Sequence, residues 1–277
     1  MQSLLLGLLA ALLWGLHDFT VRRIGGIAGT AAMLVVAFGS GAVFLVPLAL
    51  TGLAGLDARA VGFALLSGLS YTTACFGLYR AFAIGPVRLV APICGAYPVL
   101  SLALAATADQ PVGWLDLLGV LAVTGGIALV ARGKSEAPRG STWSAIAHAT
   151  LAAVSFALTF ALVQAAAAGG GAFAVALVMR LAALAAVLAW IGIARPALGP
   201  ALLIWRPLVL MGALDVGALC AVTYAGGLAS PEYAAVAASV FGLVTIVLAW
   251  RFLGEAMRPL QWLGAAIAFG GIASLGI

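Results

Sequence analysis

Charge is what this chain has least of. Its 277 residues include 13 Lys and Arg and 8 Asp and Glu, so only 8% are charged. A soluble domain carries roughly 25% charged and about 45–50% apolar residues. Here 65% are hydrophobic and the mean hydropathy is +1.23. No water-facing surface can be built from so few polar groups, which excludes a soluble domain. High apolar content likewise excludes a disordered chain. Cysteine is scarce too. Cys75, Cys94 and Cys220 all lie inside apolar runs, where they are expected to pack as small hydrophobes rather than form a disulfide or hold a metal. Basic blocks are missing. The net charge of +5 comes from residues scattered at the ends of apolar runs, a pattern that points to membrane orientation and not to nucleic acid. Strand-like alternation is missing as well. Runs such as 181–190 are apolar on every side, so the spans must be helices and not the strands of a barrel. No Lys or Arg precedes the first apolar run, so that run is expected to be a retained helix and not a cleaved signal peptide.

What remains is an all-α, multi-pass membrane protein. A bilayer core of about 30 Å needs around 20 apolar residues per helix. Breaks at Gly, Pro and charge give ten spans, near 3–22, 29–52, 60–84, 86–107, 113–132, 143–167, 171–194, 207–229, 231–252 and 259–277. The one long polar stretch, 132–142, divides the chain almost in half. The two halves match each other. Gly119, Gly125, Gly126, Ile127 and Ala128 recur as Gly264, Gly270, Gly271, Ile272 and Ala273. The same spacing of 145 pairs Pro86 with Pro231, Tyr79 with Tyr224, Cys75 with Cys220 and Leu69 with Leu214. Composition bias does not readily match Pro, Tyr and Cys at one fixed offset. The chain therefore reads as a duplication, with repeats at 1–135 and 143–277 joined by a polar linker at 136–142. Five spans per copy is an odd number, so the second copy enters from the opposite side. Such inverted repeats are an architecture that secondary transporters use for alternating access.

Ionisable groups inside spans are rare, and by default they are functional candidates. Asp215 sits mid-span in helix eight and Arg180 mid-span in helix seven. At about 1.5 Å per residue, Arg180 lies roughly 13–14 Å from one face and Asp215 roughly 12 Å from the other. Across a core of about 30 Å the difference in depth is only ~4–5 Å, so an ion pair is expected, structural or coupling in role. Asp18 and Arg22, at i and i+4, share a face of helix one and could equally form a salt bridge at the membrane edge. His17 stands beside Asp18 and could bond at the interface or carry a proton, histidine being the side chain that changes charge near neutral pH. His148 is a weaker candidate of the same kind. Tyr71, Cys75 and Tyr79 fall on one face of helix three, next to Thr72. Trp14, Tyr97, Phe156, Thr159 and Phe241 would add aromatic rings and a hydroxyl to an amphipathic pocket. Residues 234–239 are almost all small, which lets helices approach closely, and Ser239 there is a further candidate contact. Pro92 and Pro98 could kink helix four. The two Gly-Gly pairs suit helix contact and make no phosphate loop, since neither follows a strand.

An ordered set of short motifs completes the pattern. Ala11-Leu12-Leu13-Trp14-Gly15 is followed by Asp18-Phe19, and Tyr79-Arg80-Ala81-Phe82 by Gly85-Pro86. Then come Pro92, Tyr97-Pro98-Val99, Leu253-Gly254-Glu255 and Gln261-Trp262-Leu263-Gly264. In this set the chain resembles the EamA family of the drug/metabolite transporter superfamily. The resemblance spans nearly the whole chain. It implies ten helices around a central cavity lined by helices one, three, four, six, eight and nine, with five and ten outside. It also implies metabolites, amino acids or drugs as substrates and a bacterial plasma (inner) membrane as the location. The chain departs from the family in its first half, where Ala108-Asp109-Gln110 replaces Leu-Gly-Glu. Orientation stays open. Assigning Lys and Arg to their nearest loops puts both termini outside, whereas the resemblance implies cytoplasmic termini.

The expected function is a secondary transporter, read as an exporter, of a small organic metabolite, amino acid or drug. Proton coupling through Asp215, Asp18 or His17 is one option and uncoupled exchange another. Partners are the small-molecule substrate and the bilayer, with no nucleic acid, and the protein is expected as a monomer or homodimer. No cofactor or metal is expected, and the absence of a P-loop argues against direct drive by ATP. The alternatives are a lipid-carrier flippase and a membrane-embedded enzyme. The enzyme would need convergent acid, base, nucleophile or metal ligands at one depth, and the two histidines near span ends do not supply them.

Overall fold

The computed structural model describes residues 2–97, 99–100, 113–131, 140–167, 171–196, 198, 201–225, 234, 237–238 and 240–274. Among the described residues it has ten α-helices and no strand. They are α1 Gln2–Ala28, α2 Thr30–Leu53, α3 Ala58–Ile84, α4 Val87–Gly95 and α5 Trp114–Ala131. The second half holds α6 Thr142–Ala167, α7 Ala172–Ala194, α8 Trp205–Ala225, α9 Phe241–Leu253 and α10 Pro259–Ser274. Six of them, α1, α2, α3, α6, α7 and α8, are long and apolar enough to cross a membrane. The chain is therefore a multi-pass membrane protein. In hydrocarbon every backbone N–H and C=O must be paired internally, and a helix does this within its own segment.

The helices begin and end where local chemistry requires. The Asp57 side chain caps α3, accepting from Ala60 N at 2.7 Å. Pro86 precedes the first turn of α4, where no backbone donor is lost. Gly254 ends α9 with φ 68°, in the left-handed region that favours glycine. Gly29, at φ 74°, turns the chain between α1 and α2. Helix α1 continues to Ala28 and not to residue 22 as the charges suggested. Arg22 and Arg23 belong to the helix itself, because Gly29, and not the charge pair, supplies the stop.

Leucines and isoleucines such as Leu5, Leu121 and Ile193 are exposed on the outside. Between 33% and 44% of the most apolar stretch of each long span is buried, which leaves the remainder to the bilayer and the interior cavity. The interior is rich in small residues, and close approach depends on glycine. A Cβ at Gly68 would stand 2.5 Å from Met179 O, and one at Gly77 would stand 2.7 Å from His148 O. Such close backbones gain dispersion contacts that lipid-facing leucines cannot supply between helices.

Packing between the halves is largely balanced, α4–α10 being an exception. Helix α3 packs on α6 and α1 on α8; α3 packs on α7 and α2 on α8; α4 packs on α6 and α1 on α9. The pairs α2–α7, α4–α9 and α5–α10 also pack. Exchanging each helix of the first half with its counterpart in the second maps this set onto itself. The α5–α10 seam repeats the pattern at the level of residues. A Cβ at Gly126 would lie 2.5 Å from Gly264 O, and one at Gly271 would lie 2.7 Å from Gly119 O. The spacing of 145 carries one contact onto the other. Only one glycine of each pair lies in the seam, since a Cβ at Gly125 or Gly270 would meet nothing within 4 Å.

Helix four is not continuous. Past Pro92, Ala96 N bonds Ile93 O at 3.2 Å and Val99 N bonds Ala96 O at 3.0 Å. Each is an i→i−3 bond, tighter than the α-helical ladder. A matching step precedes α9, where Val240 N bonds Ala237 O at 3.4 Å and Leu243 N bonds Val240 O at 2.9 Å. Pro98 lies outside the described residues.

Candidate functional site

Asp215 lies near the middle of α8 and is almost completely buried. Its carboxylate accepts from three side chains on three other helices. Arg180 Nη2 of α7 is 2.6 Å from Oδ2. The Tyr71 hydroxyl of α3 donates to the same oxygen at 2.9 Å, and Trp14 Nε1 of α1 donates to Oδ1 at 3.0 Å. The Arg180 guanidinium lies over the rings of Tyr71 at 5.1 Å and Phe38 at 5.7 Å, and those rings stack on each other at 5.2 Å. Gly41 makes room for it, since a Cβ there would stand 3.3 Å from Nη1. A buried ion pair is retained in low dielectric only when geometry is good and further hydrogen bonds surround it. Asp215 meets that condition. Arg180 meets it in part, because among the described residues its Nε and Nη1 have no hydrogen-bond partner.

One helical turn beyond Trp14, α1 presents a second buried group. His17 Nδ1 is 3.0 Å from Asp18 Oδ1, and His17 Nε2 is 3.0 Å from the Tyr79 hydroxyl. Asp18 and Arg22 do not pair. Arg22 Nε instead donates to Glu255 Oε1 at 2.7 Å, and Arg22 Nη1 donates to Phe82 O at 2.8 Å. Glu255 Oε2 accepts from Val87 N at 2.8 Å, at the start of α4. This separate network ties α1 and α3 to the chain after α9. Asp18 Oδ2 is buried and has no partner among the described residues.

These groups surround a cavity of about 240 Å³. One side carries Trp14, His17, Asp18, Tyr71, Arg180 and Asp215. The facing side is apolar and aromatic, with Tyr97, Phe156, Phe160 and Val163. Tyr97 and Phe160 have ring centroids 4.9 Å apart, and Phe241 stands edge-on to Trp14 at 6.2 Å. Cys75 and Cys94 also line it. All three cysteines are free thiols. Drug-sized sites run from about 300 to 1,000 Å³, so this space suits a smaller solute.

The cavity brings together eight of the candidate residues: Trp14, His17, Asp18, Tyr71, Tyr97, Thr159, Arg180 and Asp215. Two others stand behind its wall. Thr72 Oγ1 donates to Gly68 O at 3.0 Å and Ala183 O at 3.2 Å, joining α3 to α7. Tyr79 is buried behind His17. Ser239 lies outside the described residues. Thr159 lines the cavity, but its hydroxyl donates to Ser155 O of its own helix at 2.7 Å. His148 bonds Ser144 O at 2.7 Å, away from the cavity. Helix seven contributes Ala176, Met179 and Arg180, which enlarges the set of lining helices the resemblance implied. Phe160 and Val163 continue the face begun by Phe156, and Leu219 and Val222 continue that of Asp215. Each follows at i+4 and i+7, so helical spacing could have found them.

Comparison with known proteins agrees with this architecture. The model of the EamA-like transporter family matches residues 1–132 and 143–277. No curated protein matches the chain. Among solved structures, 24 chains match. One crystal structure of a protein is 14% identical, covers 99% of this chain and 96% of its own, and superposes with a TM-score of 0.67. At that identity the likeness concerns the fold.

Proposed function

Because the chain belongs to the EamA-like transporter family, we propose that it is a secondary transporter moving a small organic solute through the cavity between its two halves. The observation that carries this reading is the cavity itself. It lies among the middles of the helices, and buried ionisable and aromatic side chains from both halves face it. Charged groups at such depth are costly and mark substrate or ion pathways by default.

Alternating access between inverted repeats, 1–135 and 143–277, is the mechanism we assign. Its support is the exchange pattern in the helix packing and the mirrored glycine contacts of α5 and α10. The interruptions at Ala96 and Val240 fall beside the cavity residues Tyr97 and Phe241. They are places where α4 and α9 can bend without breaking a full ladder of hydrogen bonds. The direction we assign is export, across a bacterial inner membrane. The test is flux in proteoliposomes holding the purified protein. A panel of radiolabelled amines, amino acids and organic acids should include a solute whose saturable efflux or counterflow exceeds that of protein-free vesicles. Asp215→Asn should reduce that flux. Flux equal to protein-free vesicles across the panel would overturn the transporter reading.

A further inference from the structure

The charges around the cavity do not balance. Arg180 and Asp215 cancel at 2.6 Å, and Trp14 and Tyr71 complete the Asp215 carboxylate. Asp18 is left. Its Oδ1 is held by His17, while Oδ2 is buried without a partner among the described residues, on a side chain that lines the cavity. A neutral His17 fits the bonding chain behind it. With Tyr79 donating its hydroxyl proton to His17 Nε2, the neutral imidazole carries its hydrogen on Nδ1 and donates to Asp18. Tyr79 and His17 are then satisfied, Asp18 Oδ2 is not, and with Asp18 ionised the described lining carries one uncompensated negative charge. An isolated carboxylate in low dielectric is expensive until a cation joins it.

Among the described residues, Arg180 is the one Lys or Arg on the lining, and its charge is paired with Asp215. Nη1 of Arg180 stands against Gly41 of α2, and the guanidinium lies over the stacked rings of Phe38 and Tyr71. The lining also carries a cluster of aromatic rings, Tyr97, Phe156 and Phe160. Such faces attract cations through their quadrupole and bury an apolar body equally well. At about 240 Å³ the space corresponds to roughly eight waters at about 30 Å³ each.

We infer that the cavity binds a small organic cation, a protonated amine with an apolar or aromatic body, whose ammonium group pairs with the Asp18 carboxylate. This rests on the transporter reading and names its substrate class. Asp18 is the recognition group, His17 and Tyr79 orient it, and the Arg180–Asp215 pair is a fixed strut of the wall. An anionic solute meets the wrong net charge.

The test is equilibrium binding to the purified full-length protein by isothermal titration calorimetry. Four probes share one ring: 2-phenylethylamine, 2-phenylethanol, 3-phenylpropionate and phenylalanine. The amine should bind at least about tenfold more tightly than the other three, the scale of a hydrogen bond to a charged group. Asp18→Asn should lose about tenfold for the amine and leave the alcohol unchanged. Asp18→Glu should retain amine binding, and a melting curve establishes that each variant is folded. If Asp18→Asn does not fold, the wild-type ranking and Asp18→Glu decide the matter. The inference is overturned if the propionate or phenylalanine binds as tightly as the amine, or if folded Asp18→Asn binds the amine like wild type. Proteoliposome flux separates the two readings. Flux of an acid or amino acid without amine binding refutes the substrate class and keeps the transporter. Amine binding with no flux of any solute does the reverse.

Discussion

Replacing Asp215 by Leu should damage the protein more than replacing its ionic partner Arg180 by Met. The reason lies in what each substitution strands. The Arg180 side chain is 2% exposed and that of Asp215 11% exposed, so both charges are largely shielded from water. Removing one partner of such a pair costs about 3–5 kcal/mol. Asp215→Leu also orphans Trp14 Nε1 and the Tyr71 hydroxyl, which lose their acceptor at 3.0 and 2.9 Å. Each orphaned donor adds about 1–3 kcal/mol. The Phe38 and Tyr71 rings under the guanidinium offset only about 0.5–2 kcal/mol. Arg180→Met keeps the apolar stem and leaves the carboxylate two donors, so its cost belongs at the lower end, about 3 kcal/mol.

The double variant decides between a true pair and two independent residues. With both charges gone, the remaining penalty is the two orphaned donors, and the coupling should be roughly 4–7 kcal/mol in favour of the double variant. Thermal unfolding of the detergent-purified protein is the assay. Melting temperatures should fall in the order wild type, Arg180→Met, Asp215→Leu, with the double variant above Asp215→Leu. If the losses simply add in the double variant, the 2.6 Å contact is not energetically a pair. If Arg180→Met is the more harmful single change, the reasoning about stranded donors fails.

The α5–α10 seam makes a prediction with an internal control. Gly126→Leu and Gly271→Leu should sharply lower the folded fraction in size-exclusion profiles, whereas Gly125→Leu and Gly270→Leu, with nothing within 4 Å, should not. Equal behaviour of all four would refute the packing. Arg22→Ala should cost about 1.5–3 kcal/mol in the same melting assay, since it removes a charged hydrogen bond to Glu255 and one to Phe82 O; an unchanged melting temperature would refute that. Orientation is open to direct labelling. On charge, the loop of Lys134 is cytoplasmic, so Ser135→Cys in a protein without native cysteines should resist an impermeant thiol reagent in intact cells. Ready labelling would reverse the orientation drawn from charge.

Much of the fold was legible because a bilayer permits few solutions. Apolar length and Gly, Pro or charge breaks are enough to place helices when backbone groups must pair within their own segment. Accordingly, α6 and α7 begin and end within a residue of the places read from the sequence. The exceptions have local causes. Helix α1 runs on through Arg22 and Arg23 because a partly buried Arg22 reaches Glu255 and a backbone carbonyl. Charge alone reads as a boundary, but a charge with a partner on a neighbouring element is compatible with a helix interior. The glycine pairs show a related limit. Sequence marks both members, and only the three-dimensional seam reveals that Gly126 and Gly271 face a neighbour while Gly125 and Gly270 do not.

Depth was the part of the site that sequence could supply. Counting residues from opposite faces put Arg180 and Asp215 within a few ångströms of one level, and their side chains stand 2.6 Å apart. Direction around the helix was harder. Tyr71, Cys75 and Tyr79 share a face by spacing, yet Tyr71 and Cys75 reach the cavity while Tyr79 bonds His17 behind it. A face some 100° wide holds both wall and backing, and the split depends on where α1 crosses α3. The same crossing accounts for the Asp18 expectation. On one helix face, Asp18 and Arg22 at i and i+4 are natural partners. In the bundle, Arg22 is taken up by Glu255, which lies 233 residues away in the chain, and that withdrawal is what leaves Asp18 with a free oxygen at the cavity. A local pairing rule was overridden by a long-range one, and the carboxylate left over is the group on which the proposed cation site is built.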